Sequence, residues 1–255
     1  REACGNTVRN VTACPLAGVC QDESFDVTPH AIACMRFLLG HPDTQDFGRK
    51  FKVAFSGCTE HACGLVSMHD LGLIARTEII NGVECQGFET YVGGGLGAVP
   101  HQAKLFADFL PVEELLPTAQ AIARIFARLG EKKNRARARI KFLVAQLGLQ
   151  EFQRLVKEER DSLPFDTRWT EHLDQSPSAR NVRTNSSKTV SHIDPPAGFD
   201  QWSFTNVYRQ RQPGYVVATV VLPLGDLTSQ QMRALAEIAQ RYVGTTVRTT
   251  VEQNI

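Results

Sequence analysis

The stretch "GRKFKVAF", residues 48–55, decides how the chain is read. Phe51, Val53 and Phe55 alternate with Lys50, Lys52 and Ala54, the period-two pattern of a strand with one apolar face. Lys50 and Lys52 then leave the strand on the same side, about 7 Å apart. Two ammonium groups at that spacing repel unless water or an anion lies between them. The pair marks either an exposed strand face or an anion pocket.

Outward from this strand, "TPHAIACMRFLLG" (28–40) predicts a helix. Its cap is Thr28, its first turn holds Pro29, its end is Gly40, and its apolar positions are Ile32, Met35, Leu38 and Leu39. "GFETYVG" (87–93) predicts a second strand running into Gly93-Gly94-Gly95-Leu96-Gly97. Residues 112–129 predict an amphipathic helix, with Leu115, Leu116, Ala119, Ile122, Ile125, Phe126 and Leu129 on one face and Gly130 closing it. Asn134 is the expected cap of a helix carrying Phe142, Leu143 and Leu147, interrupted by Gly148 before Phe152, Leu155 and Val156.

Residues 161–203 are polar and rich in turn formers, so they read as a connector or long loop. Beyond them, "GYVVATVVLPLG" predicts a buried strand, "TSQQMRALAEIAQRYV" a helix and "TTVRTTVEQN" a further strand. That is a β-α-β unit, half of an α/β sandwich. The ends of the sequence read as those of a piece of a longer protein.

The net charge of +1 excludes nothing, but its distribution is uneven. Arg124, Arg128, Lys132, Lys133, Arg135, Arg137, Arg139 and Lys141 face one acid, Glu131. A polyanion is one explanation and a solvated helix the other. Seven cysteines, an odd count, argue against a secreted disulfide framework. No apolar run reaches the roughly 18 residues that span a bilayer. A cytoplasmic chain with reduced thiols and no membrane partner is expected. The glycine run lacks both the dinucleotide fingerprint and the Gly-Lys-Ser/Thr of a phosphate loop. It suits a bulge or a close backbone approach to something bulky. Cys14/Cys20 (C-x5-C) and Cys58/Cys63 (C-x4-C, with His61 between) leave metal ligation and buried free thiols both open.

Five ordered segments resemble the first siroheme-binding half of nitrite and sulfite reductases. They are "NTVRNVTACPLAGVC", "FLLGHPDTQDFGRKFKVAFSGC", "MHDLGLIAR", "GFETYVGGGLGAVPHQAKLFADFLP" and "IFARLGEKKNRARARIKFLVAQLGLQEFQ". The segment from "GYVVATVVLPLG" to the C-terminus resembles the ferredoxin-like half-domain of the same enzymes. The resemblance implies an α/β (α+β) fold: a mixed sheet flanked by helices in a siroheme-binding domain at 1–160, the connector at 161–203, and a truncated ferredoxin-like half-domain at 204–255. It implies multi-electron reduction of nitrite to ammonia or of sulfite to sulfide, fed by reduced ferredoxin or a flavoprotein, with no nucleic-acid partner. Siroheme and a [4Fe–4S] cluster are the implied cofactors.

Motif position implies that Arg9, Lys50 and Lys52 hold the oxyanion and supply protons, and that Asn10, Gly94, Gly95, Arg135, Arg139 and Lys141 lie against the cofactor. The family's cluster cysteines lie in a second half expected after Ile255, so no metal ligand is assigned within this chain and its cysteines are expected to be echoes of that pattern. The resemblance implies a further pocket Arg in a preceding half-domain that this chain lacks; the corresponding strand at the C-terminus has Glu252, not Arg, before Gln253, so the pocket is expected to be incomplete. The isolated piece is expected to be inactive and prone to aggregate. The alternative from another class is a degenerate scaffold, or a module that binds an anion or nucleic acid without chemistry.

Overall fold

A computed structural model describes residues 5–174, 194–243 and 247–255. The chain divides into two compact units, one of residues 1–18 and 22–179, the other of residues 19–21 and 180–255. The division at 179/180 falls inside the stretch expected to connect two domains, of which residues 175–193 lie outside the described residues.

The first unit is built on a five-stranded mixed sheet in sequence order: β1 (Val8–Ala13), β2 (Phe51–Ser56), β3 (Leu71–Ile80), β4 (Val83–Val92) and β5 (Lys104–Pro111). β1, β2 and β3 run parallel; β4 and β5 are antiparallel to their neighbours. Parallel neighbours need long crossovers. α1 (Thr28–Leu38) lies in the first crossover, and the loop 57–70 makes the second. The tight β3–β4 turn is Asn81-Gly82, both at positive φ, the dipeptide that a two-residue hairpin favours.

One face of the sheet packs on helices. Phe51, Val53 and Phe55 of β2, Leu73 of β3 and Phe88 of β4 meet Phe37 of α1. They also join Ile122 and Phe126 of α2 (Leu115–Leu129), and Phe152 and Val156 of α4 (Leu149–Ser162). By alternation Lys52, Ala54 and Ser56 turn to the opposite face, where Ala54 and Ile74 pack under Val66 of the loop 57–70. The mixed sheet flanked by helices is the architecture expected.

The structure revises several details. α1 buries Ala31, Ala33, Cys34, Phe37 and Leu38, while Met35 and Leu39 are exposed. Its two packed sides, not the apolar stripe, set the face. Val27 stands at its cap, and Asp26 Oδ1 accepts the Thr28 N–H. The amphipathic helix begins at Leu115 after a single 3-10 turn, ends at Gly130 as expected, and leaves Leu129 exposed. Asn134 caps no helix. Its side chain accepts the Ala136 N–H, and α3 (Ile140–Leu147) begins six residues later. Arg135, Arg137 and Arg139 therefore lie on a non-helical segment, not around a helix. Gly148 separates α3 from α4 as expected. Part of the expected connector is helical: α5 (Arg168–Asp174) and α6 (Phe199–Asn206).

In the second unit, β6 (Val207–Arg209) pairs antiparallel with β7 (Val216–Ala218). α7 (Ser229–Ile238) starts at a capping box made by Thr228 and Gln231. The expected long buried strand is only three residues long, and Val216 and Val221 stay exposed. Residues 251–253 form a turn, not a second strand. Among the described residues no apolar layer covers these side chains, so the β-branched run lacks the burial that would extend it. No helix among the described residues is long and apolar enough to cross a membrane.

Candidate anion and cofactor site

Lys50 and Lys52 stand where β2 begins. β1 brings Arg9 and Asn10 beside them through an irregular register: Val8 pairs with Phe51 and Asn10 with Lys52, so Arg9 is the extra residue of a bulge. Bulges re-aim a side chain at the point where pairing breaks. Arg9 and Asn10 are both exposed, and Lys50 and Lys52 half-buried. Burial lowers the Lys50 pKa, and the charges of Lys52, Arg139, Arg9 and Arg49 lower it further. Five cations thus bear on one point.

Asp70 organises this group. It is fully buried just before β3. Its Oδ1 accepts hydrogen bonds from Arg139 Nε (3.2 Å) and Nη2 (2.8 Å), and its Oδ2 accepts the Lys52 N–H (3.0 Å). Burial raises the Asp70 pKa to about 6, with Arg139 and Lys52 pulling it back down. The carboxylate fixes the start of β2 and the Arg139 guanidinium together. Burial lowers the pKa of His69 beside it, and its Nδ1 hydrogen-bonds with the Leu65 carbonyl (2.8 Å).

The glycine loop belongs to the same assembly. The Gly94 N–H donates to His69 O (2.9 Å), and a Cβ there would lie 2.6 Å from that oxygen. A Cβ on Gly95 would lie 2.7 Å from Arg139 Nη1. The bulky neighbours that these glycines admit are therefore the protein's own backbone and Arg139. Lys141 is buried, and its ammonium donates to the carbonyls of Leu96 (3.0 Å) and Val99. It clamps the loop and does not stand open to a cofactor. Arg135 is exposed, and its carbonyl accepts from Arg49 Nη1 (2.8 Å). A cleft of about 650 Å³ is lined by Val99, His101, Asn134, Arg137, Phe142 and Gln146, among others. Of the basic run it takes Arg137, and it includes none of Arg9, Lys50 and Lys52.

The structure thus brings Arg9, Asn10, Lys50, Lys52 and Arg139 together and sets Gly94, Gly95 and Lys141 behind them as support. Sequence reasoning passed over Asp70. The signal was an acid-containing "HD" directly before an apolar run. Three cysteines also meet: Cys63 Sγ lies 3.4 Å from Cys14 Sγ and 3.8 Å from Cys58 Sγ. Sulfurs in contact leave no room between them for an iron–sulfur cluster. No group of three or more Cys, His, Asp or Glu among the described residues is arranged to hold a metal ion.

Residues 4–164 match the family described as "Nitrite and sulphite reductase 4Fe-4S domain", and residues 208–255 match "Nitrite/Sulfite reductase ferredoxin-like half domain". A sulfite reductase [ferredoxin] of Mycobacterium tuberculosis is 32% identical over 158 residues, 62% of this chain and 27% of that protein. An assimilatory ferredoxin-dependent nitrite reductase of Haloferax mediterranei is 30% identical over 262 aligned positions, 100% of this chain and 41% of that protein. The solved structure of the M. tuberculosis NirA protein superposes with a TM-score of 0.73 at 27% identity, covering 99% of this chain and 40% of that one. The chain spans less than half the length of these relatives.

Proposed function

This chain belongs to the nitrite and sulphite reductase 4Fe-4S domain family, and from that premise we propose that the protein it forms reduces a small oxyanion, nitrite or sulfite, at the cationic group of β1 and β2. One observation carries the reading. Lys50 sits among Lys52, Arg139, Arg9 and Arg49, while the carboxylate bonded into this group, Asp70, is engaged by Arg139 and the Lys52 amide. An anion relieves the repulsion that Asp70 leaves.

The donor set fits siroheme, an iron tetrapyrrole rich in carboxylates. Asn10 and Arg135 offer exposed polar groups to its rim, and Arg139, held by Asp70, offers a fixed guanidinium. When bound, siroheme would relay electrons from the donor to the anion. The cysteines of this chain that touch do not fit a [4Fe–4S] cluster between them, so no step is assigned to them. Reduced ferredoxin is the donor we propose, as the names of the relatives have it, with a flavoprotein as the other candidate. A cytoplasmic location is part of the same proposal, supported by the odd number of cysteines.

Arg9, Lys50 and Lys52 bind and orient the oxyanion through charge-assisted hydrogen bonds. The lowered pKa of Lys50 makes its ammonium a readier proton donor than an ordinary lysine. It delivers a proton from Nζ to the departing oxygen and recovers one from water. The test is turnover of nitrite and of sulfite by the full-length protein with reduced ferredoxin. Lys50→Met should lower kcat/KM by about 100-fold, the usual worth of a general acid. Rates within twofold of wild type for both anions would sink the proposal.

A further inference from the structure

Cys14 closes β1, and its N–H donates to the Phe55 carbonyl (3.0 Å), which places it beside the end of β2. Cys58 lies two residues past Ser56, where β2 ends. The loop that follows folds back onto that strand. A Cβ on Gly64 would lie 2.2 Å from Phe55 O, so the loop backbone rests directly on β2. On either side of Cys63-Gly64, Ala62 and Leu65 hold φ of 41° and 56°. Residues with side chains adopt that region at a cost, and such outliers cluster at active sites, ligand clamps and switch regions. The side chain held here is Cys63, with its sulfur 3.4 Å from Cys14 and 3.8 Å from Cys58. Cys14 and Cys58 are buried and Cys63 is partly exposed.

We propose that these three thiols form a reversible dithiol–disulfide site, in which Cys63 pairs with Cys14 and Cys58 exchanges into the pair. The oxidant is a low-molecular-weight disulfide such as glutathione disulfide. The partly exposed Cys63, as its thiolate, attacks one sulfur of the oxidant and releases one glutathione thiol. Cys14 then attacks the Cys63 sulfur of the mixed disulfide and releases the second. Two thiols lose two protons and two electrons, and one glutathione disulfide becomes two glutathiones. From 3.4 Å the Cys14 and Cys63 sulfurs need approach by only about 1.4 Å to bond. Attack needs the thiolate; the hydrogen bond with Cys14 and then burial raise the Cys63 pKa, and burial and then Cys63 raise that of Cys58, so pairing quickens as pH rises.

The site stands apart from the oxyanion group. Arg9, Lys50 and Lys52 lie at the N-terminal ends of β1 and β2 and the thiols past the C-terminal ends, about 16 Å away at strand spacing. It therefore stands or falls independently of the proposed reduction.

The test is made on the full chain, equilibrated in buffers from reduced to oxidised glutathione, acid-quenched, alkylated and mapped by peptide mass spectrometry. The expected result is a Cys14–Cys63 cross-linked peptide, lighter by two hydrogens, that becomes the main species in oxidised buffer and vanishes on reduction. Fully buried Cys34 should label only after unfolding. In Cys14→Ser the cross-link should move to Cys58–Cys63. The wild-type map needs no variant, so a misfolded mutant does not blunt the test. Full alkylation of all three at every poise overturns the proposal. So does a glutathione adduct on Cys63 that never resolves to a cross-link. Protection of the thiols by stoichiometric zinc or iron, abolished by chelator, overturns it in favour of a metal site.

Discussion

Replacing Arg139 by Ala tests the arrangement around Asp70 most sharply. The substitution removes two hydrogen bonds to Asp70 Oδ1, of 2.8 and 3.2 Å, and a long contact to the Gly94 carbonyl. It leaves a fully buried carboxylate with the Lys52 N–H for company. Breaking a buried pair by removing one partner costs about 3–5 kcal/mol, because the remaining charge is uncompensated. The cost depends on pH, and its sign follows from the pKa. In the wild type burial pushes the Asp70 pKa up to about 6, above the ordinary 3.8, so the folded state holds the extra proton between those values. Stability from this group is full below 3.8 and falls as pH rises to 6.

Without Arg139 the folded-state pKa moves higher still, and the loss continues to higher pH. Each unit of that further shift is worth about 1.4 kcal/mol. The penalty of Arg139→Ala should therefore shrink by about 2–3 kcal/mol between pH 8 and pH 5. Denaturant unfolding followed by the buried Trp169, with Trp202 replaced by Phe, reads this directly. A penalty below about 1 kcal/mol at pH 8, the value of a surface pair, or the same penalty at both pH values, would refute the reasoning.

Other perturbations have equally definite outcomes. Gly94→Ala forces a Cβ to 2.6 Å from the His69 carbonyl and 2.7 Å from that of Ser67. Both obstacles are backbone, so a loss of about 1–3 kcal/mol is expected in the same unfolding assay. Gly95→Ala meets the end of the Arg139 side chain instead; it should perturb anion binding more than stability, as seen by calorimetry against unfolding. Phe88→Ala empties a fully buried site against Phe25, His30 and Phe55 and should cost about 3–5 kcal/mol. Lys141→Met keeps the buried stem but strips the loop carbonyls of Leu96 and Val99 of their donor. Faster amide exchange across residues 95–101 should follow.

What was legible in the sequence was local. The alternation of Phe51, Val53 and Phe55 marked β2, the apolar positions of 115–126 marked α2, and Gly148 marked the break after α3, because each rests on periodicity or on one residue's backbone preference. β1, β3 and β5 lie outside the expected strands, although Asn81-Gly82 carries a hairpin signal between "LIARTEII" and "VECQGFETYV".

Lys50 and Lys52 were legible as an unexplained pair. What surrounds them was not, since Asp70 meets Arg139 across 69 positions and Cys14 meets Cys63 across 49. Contacts of that range are set by the sheet order and leave no trace in spacing. The basic run misled for a related reason. Its charges were expected around a helix capped by Asn134, whereas the N–H groups that Glu131 and Asn134 accept close local turns that do not continue into a helix before Ile140. The β-branched run after Gly214 shows propensity overruled: strand residues without a covering layer among the described residues formed three residues of strand.

The measurement that bears most directly on the central claim is the affinity of the full-length protein for sulfite and for nitrite, taken by titration calorimetry at two salt concentrations. Lys50→Met and Lys52→Met should each weaken binding by about 10-fold or more, the value of one charge-assisted hydrogen bond. The wild-type affinity should fall as salt rises. Unchanged affinity in both variants would contradict the assignment of the anion to the start of β2.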